Sequence, residues 1–295
     1  MTRIVSFLPA GTEIAYAVGA GDLLVGRSHE CDYPPEVQAL PIVSRPALSL
    51  DGLSPGQIDR AVAERLRNGE SLYEVDEVLL RDLAPEVVLT QDLCQVCAPS
   101  GTELTRALKE LPSKPNVLWL TPKNIAEIED NILEVGVATS RTEVAESLVA
   151  HIRTRMKAVR DAVEDVPRRR VVFLEWTDPL FCAGHWVPEM ITLAGGDDPL
   201  GKSSADSERI TWDDVREAEP ELIIVAPCGY GLDRAVELAR AMPSAAGATV
   251  YAVDANAYFA RPGPRVAEGV ELLAHLFHPA RCAWAQDHQP WLQIS

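Results

Sequence analysis

The sequence predicts an α/β protein of two Rossmann-like lobes, each with a mainly parallel sheet, joined by one long connecting α-helix. Three observations carry this prediction. Short, buried-type strands alternate with helical stretches; the pattern of the first half returns in the second; and an uninterrupted amphipathic stretch separates the halves. The expected boundaries are residues 1–140 for the N-terminal lobe, 141–166 for the connecting helix and 167–295 for the C-terminal lobe. A chain of 295 residues is long enough to give each lobe its own core.

The first half opens on Val5-Ser6-Phe7-Leu8, a core strand, followed by the loop Pro9-Ala10-Gly11-Thr12-Glu13, an apolar helix and the glycine-rich stop Gly19-Ala20-Gly21. Ser54-Pro55-Gly56-Gln57 then carries a helix start, with Ser at the N-cap, Pro at the first position and Gln able to close a capping box. Ile58, Val62 and Leu66 form the buried stripe of that helix, and Gly69 ends it. Leu83-Ala84-Pro85-Glu86-Val87-Val88-Leu89 reads as a helix end, a proline break and a strand. Asn116 to Leu120 is a further strand.

Ser140-x-x-Glu143 has the capping-box pattern, and Val144, Leu148, Ile152, Met156, Val159 and Val163 recur at helical spacing with no Gly or Pro between them. The second half echoes the first. Val171-Val172-Phe173-Leu174 leads into a longer loop through Trp186, a helix and the stop Ala194-Gly195-Gly196. Ala218-Glu219-Pro220-Glu221-Leu222-Ile223-Ile224 repeats the proline break, and Thr249 to Val253 matches the Asn116 strand.

Hydrophobic residues make up 47% and charged residues 24%, globular values that exclude wholesale disorder. No apolar run reaches the length of a membrane span, so direct membrane insertion is not expected. A formal net charge of -17 repels phosphate backbones and argues against nucleic acid as a partner. Met-Thr-Arg runs directly into the first strand without a signal-peptide pattern, so the expected location of the chain as written is cytoplasmic; a preceding signal would make it exported. The six cysteines are irregularly spaced in a large chain, which reads as reduced thiols and not as a disulfide framework.

Ligands of open α/β sheets bind beyond the carboxyl ends of the strands. The loops expected there are residues 9–13, 29–33, 91–100, 176–186, 227–231 and 256–265. They hold His29, Cys31, Gln91, Cys94, Cys97, Trp176, Phe181, His185, Trp186, Cys228, Tyr230, Tyr258, Phe259 and Arg261. The aromatic rings suit a large, flat, partly apolar ligand. Arg261, His29 and Gln91 suit its amides or carboxylates. The thiols and His185 can ligate a soft metal or one held in a macrocycle. No G-x-G-x-x-G, P-loop or G-x-S-x-G pattern is present, so neither a nucleotide cofactor nor a serine hydrolase is expected.

Ser6 to Glu13 with Cys31-Asp32-Tyr33-Pro34-Pro35, then Asp178-Pro179-Leu180-Phe181, Gly195-Gly196 and Phe259-Ala260-Arg261-Pro262-Gly263-Pro264-Arg265, resemble the two lobes of cobalamin-binding receptors. These are helical-backbone metal receptors, substrate-binding proteins of ABC transporters within the class III periplasmic-binding-protein superfamily. The resemblance covers most of residues 3–280. It implies a corrinoid such as cobalamin, or a related metal chelate, in a cleft between two lobes, with no catalytic residues. It also implies docking to a transporter permease through one acid per lobe, Glu77 and Asp213. The chain departs from the family's cleft tryptophans near Pro46, at Gln91 and at Tyr258. The alternatives are a thiol- and histidine-dependent metal-trafficking protein or enzyme on the same scaffold, and a two-domain nucleotide-sugar transferase.

Overall fold

The computed structural model describes residues 2–50, 52–91, 101–244 and 247–295. The chain divides into two units, Met1–Pro122 with Ala126–Ala150, and Lys123–Ile125 with His151–Ser295. Each holds a sheet flanked by helices.

The first unit runs β1 (Ile4–Ser6), α1 (Pro9–Ala17), β2 (Leu24–Ser28), β3 (Ile42–Pro46), α2 (Pro55–Arg67), β4 (Tyr73–Val75), α3 (Glu77–Leu83), β5 (Val87–Thr90), α4 (Gly101–Lys109), β6 (Asn116–Trp119) and α5 (Ile125–Ala138). Its strands lie in the order β4-β3-β2-β1-β5-β6, and only β4 runs antiparallel to its neighbour. Ile4 pairs with Leu24 on one side and Val87 on the other. β1 and β5 are buried along their whole length, as strands covered on both faces must be. Val5, Phe7, Val43, Leu80, Val88 and Leu104 form the core on one side. The capping box of α2 is present: Ser54 accepts from the Gln57 amide, and Gln57 accepts from the Ser54 amide.

The long helix α6 spans Thr142–Val163. Ile152, Met156, Val159 and Val163 are buried, but the first turns differ from the sequence reading. Val144 is exposed, and Ala145 and Val149 face inward instead. The reason is a close helix crossing. A Cβ placed on Gly136 of α5 would stand 2.4 Å from the Ala145 Cβ, so only the smallest side chains fit there. Ser140 is not the N-cap either. Its φ of +57° is the left-handed turn that ends α5, whereas an N-cap needs extended backbone.

The second unit continues with β7 (Arg169–Thr177), β8 (Leu180–Cys182), α7 (Val187–Leu193), β9 (Gly196–Asp197), β10 (Arg209–Ile210), α8 (Trp212–Glu217), β11 (Leu222–Val225), α9 (Leu232–Ala241), β12 (Thr249–Val253), α10 (Ala255–Tyr258), α11 (Val266–Phe277) and β13 (Trp291–Gln293). The order is β10-β8-β7-β11-β12-β13, with β9 also paired to β7. β7, β11 and β12 form the parallel centre. β8, β10 and β13 add antiparallel margins. Val172, Leu174, Ile223, Val225 and Ala252 pack the core on one face. Arg155 of α6 is fixed to α11 by Glu268 at 3.2 Å and Glu271 at 2.7 Å.

Candidate functional site

Both sheets have a topological switch point, where successive connections leave toward opposite edges. In the first it lies between β1 and β5, and in the second between β7 and β11. The crevice at such a point, beyond the carboxyl ends of the strands, is where open α/β sheets hold ligands.

In the first unit the loop after β2 is built on a buried cation. Arg27, only 8% exposed, is the penultimate residue of a strand whose other side chains are apolar or small. Its guanidinium donates to the carbonyls of Ser28 at 3.1 Å, His29 at 3.4 Å, Cys31 at 3.1 Å and Gln38 at 3.3 Å. The turn that carries His29 and Cys31 is thereby drawn around one side chain. The His29 amide donates to Ser44 O at 3.1 Å, and its ring Nδ1 lies 3.2 Å from the same oxygen. Burial lowers the His29 pKa, and Arg27 and Arg45 act in the same direction. Cys31 is fully buried and accepts a hydrogen bond from Thr12 Oγ1 at 3.1 Å, which makes it a packing residue. Gln91 is buried at the end of β5. Cys94 and Cys97 lie outside the described residues.

In the second unit Trp176 and Tyr230 meet across the switch point. Trp176 belongs to the end of β7, and Tyr230 follows β11. Their rings stack, with centroids 5.7 Å apart and planes 18° from parallel. Arg234 of α9 places its guanidinium carbon 5.8 Å from the Tyr230 ring, and the Trp176 indole donates to Asp178 O at 3.0 Å. Phe181 is half-buried under Arg209, at 5.5 Å. Cys228, beside this platform, is an exposed free thiol.

The remaining aromatics form a separate group. Trp186, Tyr258 and Phe259 are buried, at 6%, 5% and 3% exposure. The Trp186 indole donates to Phe259 O at 2.9 Å, Phe259 packs edge-on against Phe173, and Tyr258 shares a hydrogen bond of 2.8 Å with His288. The structure therefore gives these three a core role where the sequence suggested exposed walls. Arg261 is half-buried in the loop that follows them. His185 has a left-handed φ of +53°, with Nε2 held 3.3 Å from Asp206. Burial lowers its pKa and Asp206 opposes that shift.

Sequence reasoning missed a half-buried acid between these groups. Glu175, within β7, accepts from the Gly184 amide at 3.0 Å and from the Ser207 hydroxyl. Gly184 permits this, because a Cβ there would stand 2.5 Å from the Ser207 amide nitrogen. Burial pushes the Glu175 carboxyl up to about 7. Asp198, whose carboxylate accepts from three backbone amides, is pushed by burial up to about 6. The only hint in the sequence is one charge inside the apolar run Val171 to Trp176. Among the described residues, no group of three His, Cys, Asp or Glu is placed to hold a metal ion.

The profile of the periplasmic binding protein family matches residues 4–249. A vitamin B12-binding protein of Vibrio cholerae serotype O1 (strain M66-2) is 25% identical over 272 residues, covering 91% of this chain and 86% of its own length. One from Yersinia pestis (strain Pestoides F) is 24% identical over 227 residues, covering 76% of this chain and 69% of its own length. A periplasmic haem-binding protein from Pseudomonas aeruginosa superposes with a TM-score of 0.71 at 17% identity, covering 100% of this chain and 98% of that one. The periplasmic vitamin B12-binding protein BtuF of Vibrio cholerae superposes with a TM-score of 0.62 at 22% identity, covering 92% and 94%. At these identities the superpositions speak for the fold.

Proposed function

Because the chain belongs to the periplasmic binding protein family, we propose that it is a carrier for a corrinoid, a cobalamin-like ligand. The observation that carries this reading is the Trp176–Tyr230 stack at the switch point of the second sheet. It offers a flat, partly exposed aromatic surface where this fold class binds ligands, and a macrocycle presents a matching plane. Corrinoid is preferred over haem because the relatives that align along most of the sequence are named for vitamin B12, whereas the haem-binding proteins share the fold. Trp176, Phe181 and Tyr230 of the second unit supply apolar contact in this reading, and Arg261 a polar group. His29 and Gln91 are the polar candidates of the first unit.

We place the protein outside the cytoplasmic membrane, as the family's name indicates, in preference to the cytoplasmic location expected from the first residues. Among the described residues, no helix is long and apolar enough to cross a membrane. Delivery to an ABC transporter permease would use Glu77 and Asp213. Glu77 is paired with Arg106 at 2.7 Å, and Asp213 with Arg216, so docking exchanges these arginines for cations of the permease.

The test is calorimetric titration of the full chain with cobinamide, cyanocobalamin and ferric haem. Tighter binding of either corrinoid than of haem supports the proposal. Preferential binding of haem would transfer the reading to a haem carrier, and no binding of any macrocycle would end it.

A further inference from the structure

We propose that Nε2 of His29 is the ligand this protein supplies to the metal centre of its bound macrocycle. This rests on the reading that the cargo is a metal-bearing corrinoid or tetrapyrrole. The proton on the other nitrogen decides which atom can ligate. Nδ1 lies 3.2 Å from Ser44 O, and a carbonyl oxygen can only accept. The Ser28 hydroxyl, 3.4 Å from Nδ1, can accept as well as donate, so it suits the tautomer that the carbonyl requires, with hydrogen on Nδ1. In that tautomer the lone pair is on Nε2, and burial lowers the ring's pKa, which favours this neutral form. Glu30 Oε1 is 3.8 Å from Nε2, beyond hydrogen-bond distance. A histidine ligand whose second nitrogen donates to a backbone carbonyl has its tautomer and ring orientation set in advance.

The backbone adds to this preorganisation. Ser44 O also accepts from the His29 amide, and Arg27 holds the carbonyls on both sides of the residue. The ring lies 6.0 Å from that of Tyr73 and its side chain is 25% exposed, enough to be reached. The neighbouring thiol cannot substitute, because Cys31 is buried under Thr12.

The other imidazoles are differently engaged. Nε2 of His185 faces Asp206, that of His278 faces Gly195 O, and that of His288 faces the Tyr258 hydroxyl. His275 holds Cys282 O through Nδ1, but it closes α11 with its ring 4.9 Å from Trp291. His151 is exposed on α6. His29 alone combines a carbonyl-held Nδ1 with a position just beyond the carboxyl end of a parallel strand. In the binding step the Nε2 lone pair forms the metal–nitrogen bond and an axial water leaves. No electron is transferred, and Nδ1 keeps its proton.

The experiment titrates the full chain with ferric haem, aquacobinamide and metal-free protoporphyrin IX while recording visible absorption. The parent protein should shift the spectrum of at least one metal complex toward a nitrogen-ligated form. His29→Ala should lose that shift and bind the same complex roughly tenfold more weakly or worse. Its affinity for protoporphyrin IX should be unchanged, and added imidazole should restore the shift. His185→Ala should keep it. A His29→Ala protein that binds a metal complex with the parent's spectrum overturns the proposal and leaves the carrier reading standing. Equal weakening toward protoporphyrin IX would make His29 a packing residue and overturn it too. A parent that binds none of the three removes both readings.

Discussion

Trp176 closes β7 and Tyr230 follows β11, and their rings lie 5.7 Å apart at 18° from parallel, on the two sides of a switch point in one sheet. Neither ring needs the other for a lobe core, since both are only half-buried. Trp176→Ala and Tyr230→Ala should therefore each weaken corrinoid binding by about 1–3 kcal/mol, the cost of losing an aromatic anchor. Their urea midpoints should stay close to the parent's. Parent-like affinity in both variants, measured by calorimetry, would remove the stack from the binding surface.

Trp186 should behave in the opposite way. It is buried, and its indole holds Phe259 O at 2.9 Å. Trp186→Ala leaves a cavity and an unpaired carbonyl, so urea unfolding should show a loss of about 3–5 kcal/mol. A variant as stable as the parent that no longer binds ligand would reinstate Trp186 as a direct contact.

The thiols should separate by reactivity. Cys228 is exposed, whereas Cys31 and Cys182 are buried, and burial raises the Cys182 pKa. Iodoacetamide on the folded protein should label Cys228 quickly and the other two only after denaturation, as read by peptide mass mapping. Bound corrinoid should slow labelling at Cys228 if the adjoining stack is occupied.

Glu175 predicts a pH dependence of stability. Its folded pKa, about 7, lies above the ordinary carboxylate value, so the folded state holds the proton more tightly. That stabilisation is present below the unfolded pKa near 4.5 and is lost as pH rises toward 7. Asp198, at about 6, adds the same sign over a lower window that starts near 3.8. Glu175→Gln keeps an acceptor for Gly184 and removes the titration. Its unfolding free energy should match the parent's near pH 4 and exceed it at pH 8 by an amount on the order of 1–3 kcal/mol. A parent whose stability rises steadily from pH 5 to pH 8, with the variant following it, would contradict this.

The alternation of buried strands and helices was legible because parallel strands write continuous apolar runs such as Leu222 to Val225. The margins were not. β8, β9, β10 and β13 have two or three residues each, too few to carry a period. Trp176 and Tyr230 were legible as loop aromatics beyond buried strands. Trp186, Tyr258 and Phe259 look the same in sequence, and only the packing of Phe173 against Phe259 shows that they point inward. The turn in α6 was misread for a related reason. Val144 is the more apolar residue, but the approach of α5 at Gly136 admits only Ala145. Arg27 and Glu175 were missed because a single charge in an apolar strand has no pattern of its own.

The three residues of β13 have a consequence for association between molecules. They pair with Tyr251, Ala252 and Val253 along the outer side of β12. Without them, a parallel, apolar strand would present a row of unsatisfied amides and carbonyls to any chain able to extend alongside it. β13 answers that exposure and is a poor template itself, being short and preceded by Pro290, which has no amide hydrogen to donate. Its contribution is therefore colloidal as much as structural: it removes an edge along which concentrated molecules could add to one another strand by strand.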